Sequence, residues 1–144
     1  MENKSFTTSI EVAQAPKEVF NHILEVPKWW TKDFEGSNTK PDDEFIIHHP
    51  GAHYSKQKVV EIIPDKKIVW LVTESTLYWL KGDQHEWTGT KMIFEINAQK
   101  GKTILHFMHD GLVPEKECYS MCRDGWSKVI NNHLFNFLAT GKTI

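Results

Sequence analysis

Along this chain, apolar residues alternate singly with polar ones in some stretches and recur every three or four residues in others. In the first strand, over 5–12, Phe6, Thr8, Ile10 and Val12 fall on one face and Thr7, Ser9 and Glu11 on the other, the period of a half-buried strand. Ala15-Pro16 ends it, and Pro16 suits the first turn of a helix whose apolar stripe is Val19, Phe20, Ile23 and Leu24. Pro27 breaks that helix, and a short second helix carrying Trp29 and Trp30 is expected before Gly36. Strands follow at 44–49 and 54–63, joined by a loop at Pro50-Gly51-Ala52. Pro64-Asp65-Lys66-Lys67 is a hairpin turn into 68–75, which is apolar on both faces and reads as buried. Leu77-Tyr78-Trp79-Leu80 is an apolar run between polar turns, either a short strand or part of a loop. From 88 to 98, Met92, Phe94 and Ile96 alternate with Lys91, Ile93 and Glu95, and Gln99-Lys100-Gly101-Lys102 turns into a last strand over 103–109.

After Asp110-Gly111-Leu112-Val113-Pro114 the period changes to that of a helix, expected from about Glu115 to Ala139. Its stripe is Cys122, Trp126, Val129, Ile130, His133 and Phe137, and Gly141 is a good C-terminal cap. The order is strand, two short helices, antiparallel meander, long helix. The fold class is therefore α+β. A single long helix after a run of strands needs a curved sheet to bury its apolar face, and that arrangement often encloses a cavity.

Composition narrows the function classes. A chain of 144 residues fits one domain, expected to span 1–144. With 17 basic and 19 acidic residues there is no basic excess, which argues against a nucleic-acid partner. No apolar stretch approaches the length of a membrane span. The segment Met1-Glu2-Asn3-Lys4-Ser5 has no signal-peptide core, so a cytoplasmic location is expected. The two cysteines, Cys118 and Cys122, share a helix face, and no disulfide framework is available. Six tryptophans is a high count that suits a core and a pocket equally.

Three constellations could carry chemistry. Cys118 and Cys122 could ligate zinc with a strand histidine, but His106 and His109 face opposite sides, so at most three ligands converge and no metal is expected. His48, His49 and His53 cluster around a turn and read as surface or rim groups. For acid–base chemistry the candidates are Glu74, Glu86, Glu95, His106, His109 and His133, none in a catalytic motif. Trp79 suggests a flap over an entrance, or a homodimer contact.

Several segments together resemble a known family. They are Ala15-Pro16 with Val19-Phe20, then Trp29-Trp30, then the run from Glu61 through Pro64-Asp65-Lys66-Lys67 to Trp70. Glu86-Trp87-Thr88-Gly89-Thr90 and His109-Asp110-Gly111-Leu112 follow, then Glu117-Cys118-Tyr119, Cys122, Gly125-Trp126 and Leu138 to Lys142. They resemble the START-like, or SRPBCC, helix-grip superfamily, in its bacterial branch named after the activator of the heat-shock-protein-90 ATPase. The resemblance implies a curved antiparallel sheet wrapped around the long C-terminal helix. The chain departs from it at His133, where a small hydroxyl residue such as serine is expected.

The reading that joins these observations is a binding protein for a small hydrophobic or aromatic molecule, with no cofactor. The candidate lining is Trp30, Trp70, Trp79, Phe94, Phe107, Cys122 and Trp126, with His109 and Tyr119 as orienting polar groups. An enzyme of cyclase, dehydratase or hydrolase type, using a cavity histidine or glutamate, is the alternative. A chaperone-associated interaction module is the third.

Overall fold

The computed structural model describes residues 4–49 and 53–144, so the expected loop at 50–52 lies outside the described residues. Seven strands form one antiparallel sheet in the order β1-β7-β6-β5-β4-β3-β2. They are β1 (Phe6–Val12), β2 (Phe34–Gly36), β3 (Glu44–His49), β4 (His53–Ile63), β5 (Lys67–Leu77), β6 (Lys91–Gln99) and β7 (Lys102–Asp110). The period-2 reading survives in the packing. Met92, Phe94 and Ile96 of β6 and Thr103, Leu105, Phe107 and His109 of β7 are buried on one face. Two register shifts between β4 and β5, at Lys56/Gln57 and Val59/Glu61, interrupt the ladder where a bulge bends a sheet.

Helix α1 (Pro16–Ile23) starts at its proline as expected and buries Val19, Phe20 and Ile23. The second helix is not formed as expected. A single 3-10 turn, Val26–Lys28, carries Pro27, and Trp29 and Trp30 lie just beyond it. The Val26 carbonyl accepts from both tryptophan amides, at 3.2 and 2.9 Å, so the chain tightens here instead of continuing as a helix. Strand β2 had no periodic signal; three residues pairing at a sheet edge are too few to give one.

The C-terminal helix begins later than Glu115. Residues 113–118 form turns, and α2 spans Tyr119–Lys128. A π-helical segment, Val129–Leu134, follows, then α3 (Phe135–Thr140), ended by Gly141 at φ +78° as the sequence suggests. The wider π turn changes the buried stripe. Cys122, Trp126, Ile130, Leu134 and Leu138 recur every four residues and stay on the sheet side, with Phe137 beside them. A straight α-helix would let that spacing drift around its axis. Val129 and His133, expected on the stripe, are only half-buried.

Candidate functional site

The site is assembled by a polar relay inside the apolar core. His109 of β7 is 0% exposed. The Trp126 indole N–H donates to His109 Nδ1 at 2.9 Å. Since Nδ1 accepts, the ring proton sits on Nε2, which faces Thr90 Oγ1 at 2.8 Å. Thr90 Oγ1 in turn donates to the Trp87 carbonyl at 2.5 Å. Burial, with Lys116 and His53 adding repulsion, pushes the His109 pKa down to about 3, so the ring is neutral at physiological pH. A neutral imidazole is the one state that both accepts and donates here. Gly111 makes the close approach possible: its φ is +108°, and a Cβ there would lie 2.6 Å from Thr90 Cγ2.

The relay joins the helix, through Trp126, to the segment 78–90 that links β5 to β6. That segment is fastened a second time at the start of the helix. The Glu86 carboxylate accepts from the amides of Glu117 (3.1 Å) and Cys118 (2.9 Å). Glu117 reciprocates, its carboxylate accepting from the amides of Lys81 (3.1 Å) and Gly82 (3.0 Å). Lys116 Nζ donates to the Glu86 carbonyl at 3.0 Å. Each carboxylate thus satisfies backbone N–H groups that would otherwise be unpaired.

Between the helix and this fastened segment opens a cleft of about 330 Å³. Its aromatic walls are Trp30, Trp79, Trp87 and Trp126. Trp87 and Trp126 stack 5.8 Å apart at 11°, and Trp30 leans on Trp126 at 5.0 Å. Leu77, Met121 and Val129 add aliphatic surface, and Cys122 and Gly125 line the helix side. The polar groups are His49, His53, Lys128 and His133. The π-helical segment supplies two of these lining residues, Val129 and His133.

His53 corrects the expectation of a surface or rim group. It opens β4 opposite His49, is buried, and meets Trp87 edge-on at 4.6 Å. Its Nε2 pairs with Ser55 Oγ at 2.8 Å, and the Gln57 amide donates to the same hydroxyl. Burial, with His49 and His48 adding repulsion, lowers its pKa to about 3. Burial also lowers His49 and His133, with neighbouring His48 and Lys128 acting in the same direction. His48 points the other way, toward Asp33 at 3.2 Å.

Of the residues expected from the sequence, Trp30, Trp79, Cys122 and Trp126 come together on the cleft. Trp70, Phe94 and Phe107 do not reach it. They form a sealed aromatic layer behind, with Trp70–Phe94 at 4.9 Å and Phe94–Phe107 at 5.0 Å. His109 lies in the same layer as the relay, and Tyr119 packs at the helix start beside Arg123, away from the lining. Among the acid–base candidates only His133 lines the cleft. Glu74 sits near Lys56 at 3.9 Å, Glu86 caps the helix, Glu95 is exposed, and His106 pairs with Ser9 on the outer face. Sequence reasoning did not single out Trp87, which looked like any other tryptophan; its place beside Thr90 and Glu86, both anchored from afar, could not be read locally.

The two thiols are free and buried. Cys118 is pushed up by its hydrogen bond to Cys122, by burial and by Glu86, which leaves Cys122 the more acidic of the pair. The nearby Trp87 indole N–H also lowers Cys122, without a hydrogen bond of normal geometry. Among the described residues no three His, Cys, Asp or Glu side chains converge as a metal site.

Comparison with known proteins agrees with this architecture. The family described as "Activator of Hsp90 ATPase homolog 1-like protein" matches residues 15–139. The chain belongs to that family. Its fold is that of the START-like superfamily, a curved antiparallel sheet closed by a long C-terminal helix. The Aha1 dimer from Colwellia psychrerythraea is similar, with TM-score 0.77 and 20% identity over 96% of this chain and 98% of that one. MLL2253 from Mesorhizobium loti has TM-score 0.70 and 14% identity, covering 90% of this chain and 95% of that one. DynU16, from the dynemicin biosynthetic locus, has TM-score 0.69 and 12% identity, covering 99% of this chain and 49% of that one. At these identities the likeness concerns the fold. No curated protein matches the chain significantly. No helix among the described residues is long and apolar enough to cross a membrane.

Proposed function

We propose that this chain binds a small, flat, largely apolar molecule in the cleft between the C-terminal helix and the segment 78–90. The observation that carries the reading is the convergence of four indoles on a cleft of about 330 Å³. Apolar clefts of this size with a few polar groups are the usual form of a small-molecule site. The volume suits a ligand of two or three rings. Trp87 and Trp126 stack on each other, so an aromatic ligand would meet walls already arranged for offset packing. The relay through His109 and the Glu86–Glu117 fastening hold those walls before a ligand arrives, which lowers the ordering cost of binding. Membership of a family whose fold commonly encloses hydrophobic ligands supports the same reading.

We place the protein in the cytoplasm, where its two thiols would stay reduced. We also read it as a homodimer. The structure from Colwellia is of a dimer, and Tyr78 (47% exposed) and Met121 (63% exposed) offer apolar surface for a second copy. Sedimentation equilibrium tests this; a monomer at micromolar concentration refutes it.

A titration with the neutral fluorophore N-phenyl-1-naphthylamine tests the binding reading. Saturable one-site binding with energy transfer from tryptophan is expected. A linear, non-saturating signal would contradict it and favour the interaction-module alternative.

A further inference from the structure

The polar groups of the cleft share one chemical character, and this narrows the ligand. His49 comes from β3, His53 from β4, Lys128 from the end of α2 and His133 from the π-helical segment. All four are bases. Among the described residues no aspartate or glutamate lines the cleft, and the sequence at 50–52, Pro-Gly-Ala, carries no charge.

Several of the ring nitrogens lack partners. His133 Nδ1 is buried without a hydrogen bond. His53 uses Nε2 on Ser55, and Nδ1 makes no hydrogen bond to a described residue. His49 stacks on His53 at 5.8 Å and makes no side-chain hydrogen bond to a described residue. One ammonium and three imidazoles able to offer ring N–H groups, with no carboxylate among them, are complementary to an anion.

Resting on the binding reading above, we infer that the ligand is a flat aromatic anion, an aryl carboxylate or acidic phenol. Its ring lies among the indoles, and its charge is met by Lys128 and His133 on the helix side and by His49 and His53 on the strand side. His133, the residue that departs from the pattern expected of similar chains, contributes to this preference.

Asp33 is paired with His48 on the outer face and acts on His49 only from a distance. Glu86, on the segment 78–90, is spent on the backbone amides at the helix start. β5 contributes Leu77, and the helix contributes Lys128 and the thiol of Cys122. Burial lowers His49 and His133, with His48 and Lys128 acting the same way and Asp33 opposing at His49. A bound anion opposes that lowering, so binding takes up protons and strengthens as pH falls.

The test compares 2-naphthoate with its neutral isostere 2-naphthamide by calorimetry, at pH values from 6 to 8 where the acid stays ionised. Naphthoate is expected to bind at least about tenfold more tightly at pH 6, a difference of about 1.4 kcal/mol. That preference, read as the ratio of the two affinities within each variant, should fall severalfold in Lys128→Met and further in Lys128→Met/His133→Ser, the strand histidines keeping the remainder. Equal affinities for the two probes would overturn this inference while leaving the binding reading standing. Binding of neither probe would overturn both. A preference undiminished by the double substitution would also overturn it.

Discussion

Replacing Trp126 with phenylalanine removes one hydrogen and part of one ring, and the structure separates the two effects. Trp126 is 3% exposed and donates to a histidine that is itself 0% exposed. Phenylalanine leaves His109 Nδ1 a buried acceptor with no partner, a cost of about 1–3 kcal/mol. The smaller ring adds about 1 kcal/mol of cavity cost. The sum is about 2–4 kcal/mol. Trp87 supplies the internal control. It stacks on Trp126 at 5.8 Å and is 5% exposed, but its indole N–H has no hydrogen-bond partner of normal geometry. Trp87→Phe should therefore show only the cavity cost, about 1 kcal/mol. The assay is urea unfolding followed by far-ultraviolet circular dichroism, comparing midpoints at constant slope. Losses for the two variants equal within about 0.5 kcal/mol would refute the relay, because they would leave nothing for the hydrogen bond to explain.

Acid should destabilise the protein well above the carboxylate range. His53 and His109 have folded pKa values of about 3, below the unfolded value, so the unfolded chain binds more protons between roughly pH 6.5 and 3 and stability falls as pH falls through that window. The slope is about 1.4 kcal/mol per pH unit per histidine, so about 4 kcal/mol should be lost by pH 5, and His109→Leu should halve that loss; a stability constant from pH 7 to 5 would contradict this. Glu86→Ala removes a carboxylate that caps the helix start, and should cost about 0.5–2 kcal/mol while raising amide exchange across 78–90; unchanged exchange there would count against the fastening. Cys122→Ser should cost about 1–3 kcal/mol by burying a hydroxyl, with two thiols titrating in denatured wild type without reductant; fewer than two would overturn the free-thiol reading.

Much of the fold was legible because its signals are local. Pro16 starts α1 and Gly141 ends the last helix through their own backbone preferences. The β6–β7 hairpin announces itself by the alternation of Met92, Phe94 and Ile96 in β6 and by the turn at Lys100-Gly101. What could not be read depends on partners far along the chain. The helix begins at Tyr119 rather than near Glu115, and the amides of Glu117 and Cys118 just before it are held by Glu86, more than 30 residues earlier. The π-helical segment has no propensity signature, yet it decides that Val129 and His133 meet the cleft. Tryptophans carry no local mark of pocket or core: Trp70 is sealed and Trp87 lines the cleft. His53 looked like a loop residue because Pro-Gly-Ala precedes it, and only its pairing with His49 across β3 and β4 carries it inward.

The central claim is that the cleft walled by Trp30, Trp79, Trp87 and Trp126 receives a small aromatic molecule. The six indole N–H groups give six reporters in a nitrogen–proton NMR spectrum of uniformly labelled protein. Titration with a neutral two-ring probe, 2-naphthalenemethanol, should shift the signals of Trp30, Trp79, Trp87 and Trp126 along saturating curves with one common Kd. Trp29, whose N–H is bonded to the Ile23 carbonyl, and Trp70, sealed behind the cleft, should stay in place. No saturable shift in any indole signal, or shifts confined to Trp29 and Trp70, would contradict the account.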